Sequence, residues 1–276
     1  MIAELGLIDS LVGVSEECRW PREVVGKPVV TAARIDPSRM SSLAIDEAVR
    51  TSVRDGRSLY TVDADLIAAL SPDLIVTQDL CAVCAISSGQ LETACPVGVP
   101  VLSLDPRTLG EVAASVRTLA SRLGVAARGD EIAARMLATI ARVAASVRGL
   151  PRRRVFFAEW IDPPFCAGHW LPEMIALGGG EDVLGCAGQP SRSTTWEAVL
   201  TLEPELVIVG PCGFGVEGAA LRAAGLELPC PVVAVDGDAY YSRPAPRLAD
   251  GVRQLAHLLH PDEAPDPEMP AIRLAA

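Results

Sequence analysis

The chain is short of aromatic side chains, of histidine and of positive charge, and each shortage excludes something. A formal charge of −11 provides no basic surface to displace counterions from a phosphate backbone, which excludes nucleic acid as a partner. The run Arg152-Arg153-Arg154 is too short to reverse this and reads as the solvated mouth of the strand that follows. No apolar run reaches the roughly 18–20 residues that span a bilayer, so no membrane insertion is expected. The N-terminal residues have neither the basic region nor the long apolar core of a secretory signal. A cytoplasmic location is therefore expected, with the eight cysteines held as thiols or bound to something rather than paired. Nothing in the pattern indicates an oligomeric state.

What the chain does have is a duplication. Ser71-Pro72-Asp73-Leu74-Ile75-Val76-Thr77 matches Glu203-Pro204-Glu205-Leu206-Val207-Ile208-Val209. Val99-Pro100-Val101-Leu102 to Asp105 matches Cys230-Pro231-Val232-Val233 to Asp236, with 28 residues from the first proline to the second in one half and 27 in the other. A third echo pairs Leu5-Gly6 to Gly13 with Leu177-Gly178 to Gly185. Each half reads helix, buried strand, loop, strand. The continuous β-branched runs suit strands covered on both faces, as in a parallel α/β sheet. The segment from Arg19 to Thr61 is the main asymmetry between the halves.

Between the halves lies a helical region. Leu109 to Leu123 is helix-prone, and Gly124 interrupts it. Asp130 is expected to cap a second run, Glu131 to Val147, which Gly149 and Pro151 end. Such a helix, about 25 Å long at 1.5 Å per residue, serves as a stiff linker. The expected organisation is an N-terminal lobe over 1–124, a linker helix over 125–150, a C-terminal lobe over 151–258 and a tail over 259–276. The lobes are expected to close on a small-molecule ligand.

Ligands of parallel α/β sheets bind beyond the carboxyl ends of the strands. Six of the eleven aromatic residues fall in those positions: Trp160, Phe165, Trp170, Phe214, Tyr240 and Tyr241. In a chain so poor in aromatics, this placement suggests a large flat ligand held by stacking. Asp162, His169, Asp236 and Arg243 are the polar candidates beside them, although Asp162 and Asp236 equally suit turns and His169 equally suits a helix start. Trp20, beside Pro21, either covers the ligand or packs a loop. Cys81 and Cys84 are either buried small hydrophobes or the start of a transition-metal site, zinc or iron, completed by Cys212 or His169.

These segments resemble the helical-backbone substrate-binding proteins of ABC importers, the type that bind vitamin B12 and iron–siderophore complexes. The resemblance covers about residues 1–258. It is carried by Leu5-Gly6 to Ser15, the two Pro-acid-Leu strands and the central helix. Asp162-Pro163-Pro164, Ala167-Gly168-His169-Trp170 and Ser242-Arg243-Pro244-Ala245-Pro246-Arg247 are similar to a cobalamin-binding subgroup. The resemblance implies two Rossmann-like lobes with parallel sheets, a long linker helix and a ligand cleft between the lobes. It also implies cobalamin or a related corrinoid or tetrapyrrole as ligand. Trp160, Phe165, Trp170, Phe214 and Tyr240 then supply contact surface, and Asp162, His169, Asp236 and Arg243 polar contacts. Members of the family open with a strand before the Leu-Gly motif. Here that strand is either dispensable or encoded upstream.

With no export signal, retention or handling of the ligand in the cytoplasm is expected, and an ABC permease partner is left open. Two alternatives remain. One is a metal- or thiol-dependent enzyme using the Cys/His-rich loops, for which no ordered nucleophile and base can be read. The other is binding of haem or an iron chelate, ranked lower because such pockets call for more arginine than these loops offer.

Overall fold

The computed structural model describes residues 1–78 and 98–274. The chain forms two compact units, Met1–Asp105 and Pro106–Ala276.

In the first unit, β1 (Thr31–Ala33) pairs antiparallel with β2 (Tyr60–Val62), Thr31 opposite Val62. Between them runs α1 (Ser42–Arg54), started by the Ser41 hydroxyl, which accepts the Ala44 N–H. The asymmetric segment thus carries a strand pair and a helix. Asp63 caps α2 (Ala64–Leu70), and Ser71 ends it in the left-handed region at φ 49°. The duplicated motif then delivers β3 (Ile75–Thr77), which pairs in parallel with β4 (Val101–Ser103).

The second unit opens with α3 (Leu109–Arg122), held by a reciprocal capping box between Thr108 and Glu111. Gly124, at φ 75°, turns the chain into α4 (Ala126–Ser146). The helix starts four residues before the expected cap. Asp130 lies inside it and pairs with Arg117 of α3 at 3.1 Å. Gly129 explains the close crossing of α3 and α4, because a Cβ there would collide with Ala120. Both helices fall downstream of the boundary between the units, and α4 packs on α5 (Leu171–Leu177) and α9 (Leu248–Leu259).

The sheet of this unit has the order β11-β10-β9-β5-β8. β5 (Arg153–Ala158), β8 (Gly180–Asp182), β9 (Leu206–Val209) and β10 (Val232–Val235) run parallel, and β11 (Ala271–Arg273) closes one edge antiparallel. Consecutive residues face opposite sides. Phe156 meets Trp196 of α6 (Trp196–Leu200) edge-on at 5.7 Å, in a layer that includes Ala219 of α7 (Val216–Ala223). Phe157 meets Tyr241 at 5.1 Å on the other face. Coverage on both faces explains why the strands read as unbroken apolar runs.

The connection after β5 leads to β8 on one side, while that after β9 leads to β10 on the other. The loops leaving β5 and β9 therefore diverge at a topological switch point, where doubly wound sheets open a crevice. No helix among the described residues is long and apolar enough to cross a membrane.

Candidate functional site

Three loops of the second unit meet at this switch point. After β5 the chain forms a short hairpin of β6 (Trp160–Ile161) and β7 (Pro164–Phe165), with Trp160 opposite Phe165. The Trp196 indole N–H anchors it by donating to the Ile161 carbonyl at 3.2 Å. The loop after β9 joins this hairpin where the Cys212 N–H donates to the Glu159 carbonyl at 3.3 Å. Trp160 and Phe214 consequently stand 5.9 Å apart, inclined at 51°. Above them lies Arg222 from the end of α7, its guanidinium carbon 3.9 Å from the Phe214 ring centre and 5.9 Å from that of Trp160. Flat cations on aromatic faces gain from the ring quadrupole.

The third loop follows β10. Asp236 caps α8 (Gly237–Tyr240) by accepting the Ala239 N–H at 2.8 Å. Burial is the main cause that raises its carboxyl pKa, opposed by that hydrogen bond. The Asp238 N–H donates to the Phe214 carbonyl at 3.2 Å, which ties this loop to the previous one. Gly237 has no room for a side chain, since a Cβ would stand 2.5 Å from the Gly210 carbonyl oxygen. Arg243 donates through Nε and Nη2 to Asp238 Oδ1, at 2.9 and 2.6 Å. Arg247 lies 4.4 Å over the Tyr240 ring.

Glu159 organises the remaining segment. Its carboxylate accepts the Gly168 N–H at 2.6 Å and the Ser191 hydroxyl at 2.9 Å, so the end of β5 holds two loops at once. Gly168 is required there, because a Cβ would collide with the Ser191 amide nitrogen. The next residue, His169, sits at φ 49°. Its N–H donates to the Gln189 carbonyl at 2.7 Å, and its own carbonyl accepts the Gly188 N–H at 2.8 Å. Its Nε2 is buried and has no hydrogen-bond partner among the described residues. Burial, then the charge of Arg107, lowers the imidazole pKa and favours the neutral ring.

The structure thus brings Trp160, Phe165 and Phe214 together, with Asp236, Tyr240 and Arg243 on the adjoining loop. Asp162 is exposed at the hairpin turn. Trp170 lies in the core at 3 % exposure, its indole N–H donating to the Tyr241 carbonyl at 2.7 Å, so its ring is packing rather than contact surface. Tyr241 is likewise fully buried, and burial holds its phenol well above the usual range. Trp20, in the first unit, is 61 % exposed. Cys81 and Cys84 lie outside the described residues. Cys212 is exposed, and neither it nor His169 belongs to a group of three or more metal-ligating side chains among the described residues. Burial raises the Cys166 thiol, which disfavours the thiolate. Glu159, Arg222 and Arg247 were not among the sequence candidates. Glu159 carried a signal, a carboxylate directly after a buried strand, and Arg247 closes the Ser242–Arg247 motif, whereas Arg222 sits on a helix with nothing local to mark it.

The profile of the periplasmic binding protein family matches residues 1–220. The vitamin B12-binding protein of Salmonella typhi is 25 % identical over 248 residues, covering 87 % of this chain and 90 % of that protein. Among solved structures, the periplasmic vitamin B12-binding protein BtuF of Vibrio cholerae aligns with a TM-score of 0.66 at 22 % identity, covering 94 % of this chain and 91 % of that one. The apo periplasmic heme-binding protein RhuT of Roseiflexus sp. RS-1 aligns with the same TM-score and identity, covering 96 % and 94 %. These likenesses establish the α/β fold of two-lobed binding proteins.

They also correct the expected location. A family of periplasmic proteins points to the periplasm and not to the cytoplasm. The expectation rested on the pattern of the first residues, which does not outweigh a match along most of the chain. With that fold and a match over 1–220, the chain belongs to the periplasmic binding protein family.

Proposed function

We propose that this protein is the substrate-binding component of an ABC importer and captures a corrinoid, cobalamin or a close relative, for delivery to its permease. The observation that carries the reading is the aromatic face at the switch point, where Trp160 and Phe214 meet at 5.9 Å with Tyr240 on the loop joined to theirs. Large flat ligands are held by such faces, with a few polar groups setting orientation. Arg243 and Asp236 are held in place by their own hydrogen bonds, so they lose little freedom on binding. The curated relatives named for vitamin B12 favour a corrinoid.

Haem is the second reading, and His169 favours it. A buried, neutral imidazole nitrogen without a hydrogen-bond partner among the described residues is suited to ligate iron. Titration of the purified protein with cyanocobalamin and with hemin, followed by calorimetry and visible absorbance, separates the two. The corrinoid reading expects a Kd for cyanocobalamin below about 1 μM and weaker hemin binding. Tight hemin binding with a Soret shift lost in His169→Ala favours haem. Binding of neither contradicts both.

A further inference from the structure

The C-terminal residues grip the ligand loop at both of its ends. That loop leaves β10 and carries Asp236, the short helix α8 and Tyr240. At its start, Val235 stands opposite Ala271 of β11 in the antiparallel ladder. At its end, the Tyr241 hydroxyl donates to Gln254 Oε1 at 2.7 Å, and Gln254 Nε2 donates to the Pro270 carbonyl at 3.1 Å. Two consecutive residues of the tail, Pro270 and Ala271, therefore hold the two ends of one loop.

The polarity of these hydrogen bonds is fixed. A carbonyl only accepts, so the Gln254 amide turns its NH2 to Pro270 and its oxygen to Tyr241, whose hydroxyl must donate. Gln254 is 2 % exposed and Tyr241 is fully buried, so water cannot stand in for either partner. Leaving one of these groups unpaired costs its full desolvation. Tyr241 is fixed in other ways too. Its ring lies 5.1 Å from Phe157, and its carbonyl accepts the Trp170 indole N–H at 2.7 Å. Its N–H and that of Ser242 both donate to the Gly237 carbonyl, at 3.2 and 2.8 Å, which folds the loop back on itself.

Building on the proposed function, we infer that the C-terminal tail is a clasp that orders the ligand loop before cargo arrives, with Gln254 as its positioning residue. A loop ordered in advance loses less freedom on binding, so the clasp contributes affinity without touching cargo. Asp236 and Tyr240 are the groups it presents.

Two variants open the clasp in the full chain. Gln254→Met keeps the length of the side chain and removes both hydrogen bonds, while Tyr241→Phe keeps the ring and removes the hydroxyl. Amide hydrogen exchange is read by mass spectrometry without cargo. In Gln254→Met it is expected to rise at least about fivefold over 236–242 and to stay unchanged in β5 and β9. Cyanocobalamin and hemin are the probes of affinity. By calorimetry, Gln254→Met is expected to bind the probe that the wild type takes up about five- to twentyfold more weakly. In a Trp160→Ala background that loss persists. In a Tyr240→Ala background, where the loop has already lost its ring, it shrinks to about twofold or less. A merely structural loss would be the same in both backgrounds. Unchanged exchange over 236–242, no affinity loss, or a loss equal in both backgrounds overturns the inference and leaves the proposed function standing. If Gln254→Met does not fold, Tyr241→Phe is read in the same way and decides. Wild-type protein that binds neither probe overturns the proposed function and the claim on affinity, and the exchange result still decides whether the tail orders the loop.

Discussion

The two units carry the same duplicated strand motif and bury it differently. In the first, Ile75–Thr77 is only partly covered, Val76 is 38 % exposed, and among the described residues the strand pairs with β4 alone. In the second, every residue of Leu206–Val209 is at 2 % exposure or less, between β5 and β10 with helices on both faces. Equivalent sequences do not make equivalent strands. Neighbours on both edges and both faces turn an apolar run into a core, and the second unit has them. The chemistry-bearing loops described above grow from the ends of these fully buried strands, which set their positions.

The largest expected effect tests that difference directly. Phe156→Ala removes a fully buried ring wedged against Trp196 and is expected to cost about 3–5 kcal/mol. Val76→Ala, on the partly exposed strand, is expected to cost less than about 1 kcal/mol. Chemical denaturation checks both, and equal costs would erase the contrast. Next is Gly168→Ala, whose Cβ meets the Ser191 backbone. Two backbones must part, so cargo affinity is expected to drop more than about tenfold, read by calorimetry. Glu159→Ala releases the same two loops more gently, with a loss of about tenfold, or 1.4 kcal/mol. Glu159→Gln, which can still accept from Gly168, is expected to restore most of it.

The smallest effects concern titration. The folded state holds the His169 pKa below its ordinary value of 6.5. The unfolded chain therefore takes up the proton first, and stability present above pH 6.5 is lost as pH falls below it. Melting temperatures at pH 7.5 and 5.5 should differ less in His169→Phe than in the wild type. Asp182 has the opposite sign. Burial raises its pKa above 3.8, and its Oδ2 is buried without a hydrogen-bond partner among the described residues, so stability is lost as pH rises through that window. Asp182→Asn keeps an acceptor for the Leu184 and Gly185 N–H groups and is expected to raise Tm at pH 7 by about 1–3 °C.

Much of the fold was legible in the chain because burial on two faces writes continuous apolar runs. Leu206–Val209 and Val232–Val235 are strands over the residues that such runs mark, and the interruption at Gly124 is a left-handed turn. For the candidate site, the rare aromatics after buried strands mark Trp160, Phe165 and Phe214, and the fold sets Trp160 beside Phe214 and opposite Phe165. Which way a ring turns is settled by partners distant in sequence. Trp170 is drawn into the core by a carbonyl 71 residues away. Arg222 reaches the Phe214 ring from a helix, and no local pattern shows it. Asp130 failed as a cap because the alanine-rich residues before it already favour helix and Gly129 permits the close crossing. The compartment was misread because composition and an N-terminus are weak evidence of where a binding protein works.

The most direct test of the account is calorimetric titration of cyanocobalamin into the wild-type protein and into Trp160→Ala/Phe214→Ala. The aromatic face at the β5–β9 switch point predicts sub-micromolar binding, a Kd below about 1 μM, weakened at least about a hundredfold in the double variant at unchanged fold. Affinity indifferent to the loss of both rings would contradict it.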